Sequence, residues 1–415
     1  MPVEPEGRAL SGRQHDPVCV LLAGGRGSRL HELTDSICKP AVRFGPENRI
    51  VDFTLDNIRR SGLSQIIVAS QYCAGPLEEY LDRAWRPVFG AGLRLRRAAS
   101  KTRPMREYVG TADAVWKNSV EIDALAPREV VVLSADQVYA MDYRPMIEAH
   151  RASGAAVTIA ADVVPATEAR AFSCIEAKAS GHVSRLVEKP RHPPRMQGRV
   201  DHSMISMGIY ILNWAWLRAA LAADAANPTS AHDFGHDILP KAVAEGQAQV
   251  HTVRGVANRP FFWRDVGTLD AFRATWLRFV DEEPPSDLPA LGRIPLPFGL
   301  RGSSGGDARG QISADRVVPL SGARLQGAKG VLRGSILMPG ARLSEGSLLH
   351  NAIVAPGTLV PPGLSVGEDP DEDARWFRVT PGGTTLITSE MLARRDLHGP
   401  RPLFISNHPF HLRSH

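Results

Sequence analysis

Short apolar runs alternate with amphipathic stretches through the first two thirds of the chain. Four of the runs are dominated by valine, isoleucine and leucine, and they lie at residues 18–23, 65–69, 129–133 and 156–160. Apolar runs without polar alternation are typical of strands buried on both faces of a parallel sheet. Helical patterns separate them at residues 50–61, 76–85 and 113–125. The alternation predicts an α/β domain with a mostly parallel sheet and crossover helices.

The pattern becomes less regular before the α/β domain ends near residue 282. We expect further strands at residues 183–188, 206–212 and 248–253, and further helices at 217–225 and 268–281. Residues 283–310 are rich in proline, glycine and serine, which is a linker composition. The predicted domains are therefore a flexible leader at 1–16, the α/β domain at 17–282, the linker at 283–310 and a C-terminal domain at 311–415.

Beyond the linker, aliphatic residues recur at about every sixth position. The series is Ile312, Val318, Leu325, Val331, Leu337, Leu343, Leu348, Val354, Val360 and Val366. A period of six fits neither an α-helix nor a plain strand, but it is typical of a hexapeptide β-helix whose aliphatic residues point inward. The alternative is a glycine- and proline-rich loop with chance spacing, and ten aliphatic positions with two slips favour the β-helix.

Composition narrows the setting of the protein. The formal net charge of +5 is mild and spread along the chain, which fits phosphorylated ligands and does not indicate nucleic acid. The four cysteines have no metal-ligand spacing and are expected to be free thiols in a reducing compartment. We find no secretory signal and no apolar run long enough to span a membrane, so we expect a cytoplasmic protein.

A glycine-rich loop follows the first predicted strand. It holds Gly24, Gly25 and Gly27, followed by Ser28 and Arg29. Glycines let the backbone turn tightly and bring N–H groups close to an anion, and an arginine adds a forked charge suited to phosphate. The spacing matches neither the dinucleotide fingerprint nor Walker A. Taken alone, the loop could also be an ordinary tight turn between a strand and a helix.

Asp136 follows the apolar strand predicted at residues 129–133. Ligands of open α/β sheets collect at the carboxyl ends of the strands, so this aspartate is a candidate site residue. The alternative for an aspartate at this point is a turn or helix cap.

Nine segments resemble glucose-1-phosphate adenylyltransferase (ADP-glucose pyrophosphorylase), a family of sugar-nucleotide pyrophosphorylases. In order along the chain they are LAGGRGSRL at 22–30, KPAV at 39–42, RIVDF at 49–53, GTADAV at 110–115, VEKP at 187–190, SMGIY at 206–210, HDFG at 232–235, WRDVGT at 263–268 and EDARWF at 372–377. The resemblance implies a Rossmann-like nucleotidyltransferase domain, a C-terminal left-handed parallel β-helix and a homotetramer.

The resemblance also implies the reaction and the site. A phosphate oxygen of glucose 1-phosphate attacks the α-phosphorus of ATP in line, and pyrophosphate leaves. Such transfers need positioning and charge cancellation. The implied catalytic residues are Arg29, Lys39 and Asp136, with Asp136 and Asp265 holding Mg²⁺. Gly24, Gly25, Gly27, Ser28, Arg29, Gly110 and Asp113 would bind the nucleotide. Tyr108, Ser173, Glu188, Lys189 and Ser206 would bind glucose 1-phosphate.

The chain departs from the family at four places. The Pro-Ala-Gln-Gln segment that lies near the base is replaced by RAASK at 97–101, so the base-reading residue is not identifiable. Ser173 stands where the family has glycine, and Glu107 where it often has an aromatic residue. The stretch at 35–38 lacks the basic residues that bind a phosphorylated sugar activator. Arg43 and Arg49 remain as a candidate regulatory anion site, and we expect weak or altered activation by fructose 1,6-bisphosphate.

Three alternatives stay open at this point. The chain could be a pyrophosphorylase for another nucleotide or sugar 1-phosphate. It could be a weakly active regulatory paralogue, although Arg29, Lys39 and Asp136 are all present. It could be an acyltransferase, which would typically need a catalytic histidine in the coils. His350 is the one histidine there, and a solvent-facing role explains it better.

Overall fold

The computed structural model of the chain describes residues 16–44, 48–98, 107–196, 198–253, 261–281, 312–315, 318–319, 324–325 and 330–398. It divides into two compact units, residues 1–275 with 283–293 and residues 276–282 with 294–415. The predicted linker and all of the predicted leader except Asp16 lie outside the described residues, so the domain limits stay predictions. Within the described part, no helix is both long and apolar enough to cross a membrane.

A nine-stranded mixed sheet forms the centre of the first unit. Its main path runs in the order β10-β6-β9-β4-β1-β2-β3; β7 pairs with β9, and β8 pairs with β7. The strands β1–β2, β1–β4, β2–β3 and β6–β10 are parallel, whereas β9 is antiparallel to its neighbours. A separate two-stranded ribbon joins β5 and β11. The strands are β1 Val18–Ala23, β2 Gln65–Ser70, β3 Leu93–Arg97, β4 Glu129–Ser134, β5 Gln137–Tyr139, β6 Val157–Pro165, β7 Cys174–Ala177, β8 Val183–Val187, β9 His202–Asn213, β10 Ala248–Thr252 and β11 Trp263–Asp265.

The central strands are buried on both faces, as their unbroken apolar runs predicted. Successive residues of a strand point to opposite faces of the sheet. In β1, Leu21 therefore packs into one hydrophobic cluster and Val20 into another on the opposite face. Both side chains are fully buried. The two clusters explain why a parallel strand of this kind carries no polar alternation.

Helices cover the sheet, and their bounds agree with most of the predicted patterns. The helices of the first unit are α1 Ile50–Arg60, α2 Ala74–Ala84, α3 Arg86–Phe89, α4 Thr111–Trp116, α5 Ser119–Leu125, α6 Arg144–Ser153, α7 Ala166–Ala169, α8 Trp214–Ala225 and α9 Leu239–Ala244. Leu269–Asp281 forms α10, which crosses the limit between the two units. Short 3-10 turns lie at Ser28–Thr34, Lys39–Ala41 and Gly90–Gly92, and a π-helical turn lies at Phe234–Ile238.

The single helix predicted at residues 113–125 is wrong, because the structure breaks it into α4 and α5. Asn118 lies at the break, and its side-chain amide donates to the carbonyl of Ala114 and to the hydroxyl of Tyr108. Asparagine competes for backbone partners in this way, which is why it disfavours helix interiors. The amphipathic period continues across the break and hides it from sequence reading.

The second unit contains a left-handed parallel β-helix, in which the short strands of successive coils form three sheets. Its strands are β12 Ile312–Asp315, β13 Val318–Pro319, β14 Arg324–Leu325, β15 Gly330–Arg333, β16 Ile336–Leu337, β17 Arg342–Leu343, β18 Leu348–His350, β19 Ala352–Val354, β20 Leu359–Val360 and β21 Ser365–Val366. The helix α11 Pro370–Trp376, the strands β22 Arg378–Val379 and β23 Thr385–Ile387, and the helix α12 Ser389–His398 follow it.

Two members of the predicted inward series are wrong by one residue. Leu332 pairs with Leu349, and Leu349 pairs with Val366. These three side chains are buried, whereas Val331 and Leu348 are only half-buried. This column advances by seventeen residues per coil instead of eighteen. Adjacent aliphatic residues occupy both positions, so composition alone could not show which one points inward.

Candidate active site

The loops that follow β1, β2 and β4 meet at one edge of the sheet. β2 and β4 lie on opposite sides of β1, so the chain reverses its direction of winding at this point. Crevices at such a switch point, outside the carboxyl ends of parallel strands, are where open α/β folds bind ligands. The glycine loop follows β1, Gln71 follows β2, and Asp136 follows β4. The predicted location of Asp136 at a ligand-binding edge is thus where the fold places it.

The glycine loop packs directly on Lys39. Gly27 has φ +72°, and a Cβ added to it would lie 2.6 Å from Cβ of Lys39. Both the left-handed backbone and the close approach require glycine at this position. The loop therefore holds the stem of Lys39 against the carboxyl end of the strand β1.

The ammonium group of Lys39 lies between two carboxylates. Its Nζ is 3.0 Å from Oδ2 of Asp136 and 2.8 Å from Oδ1 of Asp265. The lysine side chain is only 4% exposed, whereas that of Asp136 is 37% exposed. Ser134 donates its hydroxyl to the other oxygen of Asp136. One buried cation thus neutralises two acidic groups at the edge of the sheet.

The pKa values of this cluster follow from burial and charge. Burial by itself lowers the pKa of Lys39, but the attraction of Asp136 and Asp265 outweighs it and raises that pKa above its ordinary value. Burial raises the pKa of Asp136, but Lys39 and the hydrogen bond from Ser134 outweigh it, so that pKa lies below its ordinary value. Lysine and aspartate are therefore both charged at neutral pH.

Asp265 reaches the cluster through the β5–β11 ribbon. In that antiparallel pair Asp265 lies opposite Gln137, the residue after Asp136. Trp263, on the same strand, donates its indole N–H to the side chain of Gln137 at 3.0 Å. Arg29 approaches from the glycine loop, and its Nη2 lies 3.6 Å from Oδ2 of Asp265 with the arginine side chain 63% exposed. The predicted catalytic residues Arg29, Lys39 and Asp136 are thus brought together.

A cavity of about 370 Å³ opens beside this cluster. Its walls combine the glycine loop, the acid–lysine cluster and the segment that contains Gly110. The lining residues are Leu22, Ala23, Gly24, Gly25, Gly27, Lys39, Pro40, Ala69, Gln71, Tyr108, Val109, Gly110, Thr111, Ala114, Ser134, Asp136 and Asp233.

Three predicted nucleotide contacts do not line the cavity. Ser28 begins a 3-10 turn, and Arg29 is directed at Asp265. The carboxylate of Asp113 accepts from the backbone N–H of Val109 at 3.0 Å and pairs with Lys117 at 2.6 Å. Asp113 thus holds the loop that bears the cavity wall, and direct contact of these three residues with a nucleotide stays a prediction.

The predicted sugar-phosphate residues form a second group beside the cavity. Glu188 accepts a hydrogen bond from the hydroxyl of Ser173, and its other oxygen lies 2.8 Å from Nζ of Lys189. Lys189 has φ +42°, an uncommon backbone conformation for a residue with a side chain, and its side chain is 63% exposed. Its charge is therefore accessible to an anion.

Ser206 and Tyr108 are held by different contacts. The backbone N–H of Ser206 donates to the carbonyl of Ser173 at 2.8 Å, which joins it to the Glu188 group. Tyr108 lines the cavity, but Asn118 donates to its hydroxyl at 3.1 Å. Burial is the main cause that raises the pKa of the Tyr108 hydroxyl, so this group remains protonated at neutral pH.

Sequence reasoning missed the role of Gln71. Its side-chain amide pairs with both backbone groups of Tyr108, accepting from the N–H at 2.6 Å and donating to the carbonyl at 3.3 Å. It thereby fixes the cavity wall that contains Tyr108. The available signal was its position directly after β2, at the ligand-binding edge of the sheet. Thr111 and Asp233 were also missed, although both lie within segments that resemble the family.

The donor set at the edge of the sheet fits a hard divalent cation. Asp136 and Asp265 both contact the same lysine nitrogen, so their carboxylates converge on one point of the site. Carboxylate oxygens are ligands that such cations prefer. Among the described residues, no group of three or more histidine, cysteine, aspartate or glutamate side chains could hold a metal. A cation held by the two aspartates would thus take its remaining ligands from substrate phosphates and water.

The two arginines of the candidate regulatory site are neighbours. Arg43 and Arg49 face each other in an isolated antiparallel bridge. The guanidinium of Arg49 lies 4.2 Å above the ring of Tyr80 and donates to the carbonyl of Ala41 at 3.3 Å. Burial, followed by repulsion from Arg43, lowers the pKa of Arg49. Positive charge is therefore concentrated at this place.

A mixed α/β sheet with a phosphate-type glycine loop and an acid–lysine cluster at its switch point defines a nucleotidyltransferase. The profile of the Nucleotidyl transferase family matches residues 18–279. The profile described as GlmU-like, C-terminal hexapeptide matches residues 316–387.

Relatives narrow the class further. The chain is 38% identical to glucose-1-phosphate adenylyltransferase of Rhodopseudomonas palustris (strain HaA2) over 404 residues, which cover 91% of this chain and 96% of the relative. It is 38% identical to the enzyme of the same name from Novosphingobium aromaticivorans over 409 residues, with the same coverage. The corresponding enzyme of Cereibacter sphaeroides (strain ATCC 17025 / ATH 2.4.3) is 37% identical over 90% of this chain and 95% of its own. The chain belongs to the glucose-1-phosphate adenylyltransferase family.

Proposed function

We propose that the protein transfers the adenylyl group of ATP to α-D-glucose 1-phosphate, giving ADP-glucose and pyrophosphate for glycogen or related α-glucan synthesis. The observation that carries the proposal is Lys39, buried between Asp136 and Asp265 at the edge of a nucleotide-sized cavity. Nucleotidyl transfer requires little covalent help from the protein, but it requires aligned phosphates and cancelled charge. Membership of the family supports the choice of substrates.

The triphosphate is proposed to lie along the glycine loop. Gly24 and Gly25 line the cavity, where their backbone N–H groups would bind phosphate oxygens. Arg29, with most of its side chain exposed, and Lys39 would neutralise the leaving pyrophosphate. The glycine loop is packed on Lys39, so the proposed phosphate cradle and the neutralising cation are in direct contact.

Asp136 and Asp265 are the proposed ligands of Mg²⁺. When bound, the ion would supply charge compensation for the α-phosphate and the leaving group. The protein's own part is to keep Asp136 ionised, which Lys39 and Ser134 do. No nucleophilic side chain is required, because the phosphate of the sugar substrate is itself the attacking group.

Glucose 1-phosphate is proposed to bind at the Glu188 group. Lys189, exposed and charged, would hold the phosphate, and Glu188 would accept from sugar hydroxyls. Ser173, Ser206 and Tyr108 would complete the site. The hydroxyl of Ser173 already occupies one oxygen of Glu188, so a sugar must compete for that oxygen or bind around it.

The choice of base rests on the family and on one amide side chain at the cavity. The segment that replaces the family glutamines extends to residue 101, and its residues 99–101 lie outside the described residues. Gln71 carries the same side-chain amide as those family glutamines. It lines the cavity and is hydrogen-bonded to Tyr108. A different nucleotide or a different sugar 1-phosphate is therefore the rival function.

One assay separates these readings. Pyrophosphate release would be measured with ATP, UTP, GTP and dTTP, each with glucose 1-phosphate and magnesium, and the nucleotide sugar would be identified by mass spectrometry. We expect turnover with ATP to exceed turnover with each other nucleotide at least about tenfold. Preference for another nucleotide would replace the adenylyl assignment, and a lack of turnover with all four would favour a regulatory paralogue.

Arg43 and Arg49 are proposed to form an anion site that regulates activity. The guanidinium Nε of Arg49 is buried and has no hydrogen-bond partner among the described residues. Because residues 36 and 37 add no positive charge, we expect activation by fructose 1,6-bisphosphate to be weak. Strong activation of the purified protein, with a half-maximal concentration in the micromolar range, would contradict this expectation.

The protein is further proposed to act as a homotetramer in the cytoplasm, with the β-helix serving assembly and regulation. Membership of the family supports the tetramer. The match to a hexapeptide profile supports a β-helix whose coils contain a single histidine in the sequence, which argues against an acyltransferase role. Its one histidine, His350, is half-buried at the end of the strand β18. Light scattering coupled to size-exclusion chromatography should give four times the 45.0 kDa mass of the chain.

A further inference from the structure

Two chain segments from distant parts of the first unit touch beside the cavity. Gly110 precedes α4, and a Cβ added to it would lie only 2.2 Å from the carbonyl oxygen of His232. The backbone N–H of Ala112 donates to the same oxygen at 2.8 Å. Only glycine permits this approach, so the wall that carries Gly110 and the segment 231–234 are packed as one piece.

The hydroxyl of Thr111 joins the two segments by a pair of hydrogen bonds. It donates to Oδ2 of Asp233 at 2.8 Å and accepts from the backbone N–H of Phe234 at 2.9 Å. Thr111 and Asp233 both line the cavity. A hydroxyl that donates to a carboxylate while accepting from an amide cannot be replaced by a methyl group without losing both hydrogen bonds.

Asp233 carries the connection onward to the sugar-phosphate group. Its other oxygen, Oδ1, accepts from the backbone N–H of Gly235 at 2.8 Å. Gly235 lies against Glu188, because a Cβ added to the glycine would be 3.1 Å from Oε2 of Glu188. A continuous series of contacts therefore runs from Thr111 at the cavity to the carboxylate proposed to hold the sugar.

The segment between the two ends is held rigidly. His232 has φ +54°, and its ring nitrogen Nδ1 lies 2.8 Å from Oδ2 of Asp224. Its backbone N–H donates to the hydroxyl of Ser230 at 2.9 Å. The backbone N–H of Asp233 donates to Asp237 at 2.9 Å. A segment fixed at so many points transmits a displacement at one end to the other instead of absorbing it locally.

We propose that Thr111 is a positioning residue that couples the nucleotide subsite to the glucose 1-phosphate subsite through Asp233 and Gly235. Occupation of the cavity on the Thr111 side displaces the rigid segment 232–235, and Gly235 then sets the position of Glu188 for the sugar. The coupling is reciprocal, so glucose 1-phosphate tightens nucleotide binding by the same factor. This inference rests on the proposed function, because it takes Glu188 as the sugar contact.

The test compares Thr111→Val with Thr111→Ser and with the control Thr158→Val. Serine keeps the hydroxyl, and Thr158 is a buried threonine that contacts His150 away from the cavity. Binding of the unreactive analogue α,β-methylene-ATP is measured by calorimetry with magnesium, in the absence and presence of glucose 1-phosphate. We expect glucose 1-phosphate to tighten analogue binding about fivefold or more in the wild type, in Thr111→Ser and in Thr158→Val. In Thr111→Val the factor should fall to about one.

Steady-state kinetics give the second readout. We expect Thr111→Val to raise KM for glucose 1-phosphate roughly tenfold, although the residue lies on the nucleotide side, and Thr111→Ser to restore it. The inference is overturned if the wild type shows no coupling, if Thr111→Val keeps it, or if Thr111→Val raises KM for ATP alone. Failure of the proposed function has a separate sign, namely no turnover of ATP and glucose 1-phosphate by the wild type, and the binding experiment does not depend on turnover.

Discussion

The ammonium nitrogen of Lys39 lies 2.8 Å from a carboxylate oxygen of Asp265, although 226 positions separate the two residues in the chain. Through this contact the β5–β11 ribbon, which carries Asp265, lies beside Lys39 and the glycine loop. The contact also ties the proposed ligands of the metal to a single buried cation.

Replacement of Asp136 by asparagine should remove turnover and leave the fold intact. The neutral amide cannot balance Lys39 or hold a divalent cation as a carboxylate does, so we expect kcat to fall about a hundredfold or more. Pyrophosphate release measures the effect, and circular dichroism checks the fold. Asp142→Asn is the matched control, since Asp142 is bound to Arg144 and lies outside the cavity. Near-normal activity of Asp136→Asn would show that Asp136 is not a ligand of a required metal ion.

Removal of the charge of Lys39 should make stability depend on the divalent cation. In Lys39→Met the carboxylates of Asp136 and Asp265 lose the buried cation between them and keep the exposed Arg29, which lies 3.6 Å from Asp265. We expect this loss to destabilise the fold by about 2 kcal/mol after allowance for the exposure of Asp136. Added magnesium should therefore raise the melting temperature more for this variant than for the wild type. Lys241→Met, which removes an exposed ion pair with Glu245, serves as control. An equal shift in all three proteins would argue against a cation site at the two aspartates.

Loss of Lys189 should affect one substrate selectively. We expect Lys189→Ala to raise KM for glucose 1-phosphate roughly tenfold and to leave KM for ATP within about twofold, because a charge-assisted contact to the sugar phosphate is lost. Initial rates with each substrate varied in turn measure both constants. Lys178→Ala removes another exposed lysine from the same unit and should change neither. If the two constants rise equally, the assignment of Lys189 to the sugar phosphate is wrong.

A methyl group on Gly27 should disturb the catalytic cluster through Lys39. The positive φ strains any side chain, and the added Cβ would approach Cβ of Lys39 to 2.6 Å, so we expect Gly27→Ala to cost about 1–3 kcal/mol and most of the activity. Gly75→Ala is the control. Gly75 lies in α2, where an added Cβ would meet the guanidinium of Arg97 at 3.9 Å, and we expect Gly75→Ala to change stability and turnover little. Urea unfolding measures the stability of both variants, and pyrophosphate release measures their turnover. A stable and active Gly27→Ala would contradict the packing argument.

The buried His150 should make the fold sensitive to acid. Burial lowers the pKa of its imidazole below the ordinary value of 6.5, and the ring contacts Thr158 and Asn213 on either side. Because the unfolded chain takes up the proton more readily, stability is lost as pH falls below about 6.5, by up to about 1.4 kcal/mol per pH unit. His150→Gln can keep both hydrogen bonds without titrating, so its melting temperature should fall less between pH 6.5 and 5. His192→Gln, at an exposed histidine, serves as control. If the melting temperatures of the wild type and His150→Gln fall equally with pH, His150 is not the source of the acid sensitivity.

Much of the fold was predictable because its signals are local. The apolar run at Val18–Ala23 predicted its own strand limits, and the helix limits of α1 were predicted to within a residue. The period of six predicted the β-helix. The column of Leu332 was missed because Val331 beside it is equally apolar, and only the register of the coils selects between them.

The features of the site likewise separate into local ones and ones that depend on contacts between distant segments. Sequence by itself determined the glycine loop, the apolar strands and the position of Asp136 after one of them, because each depends on neighbours in the chain. Only the tertiary structure decided that Asp265 joins Lys39, and that Thr111 bonds to Asp233 across 122 positions. Those contacts depend on the pairing of β5 with β11 and on the close approach at Gly110, and strand pairing and side-chain packing between distant segments leave no periodic trace in the sequence.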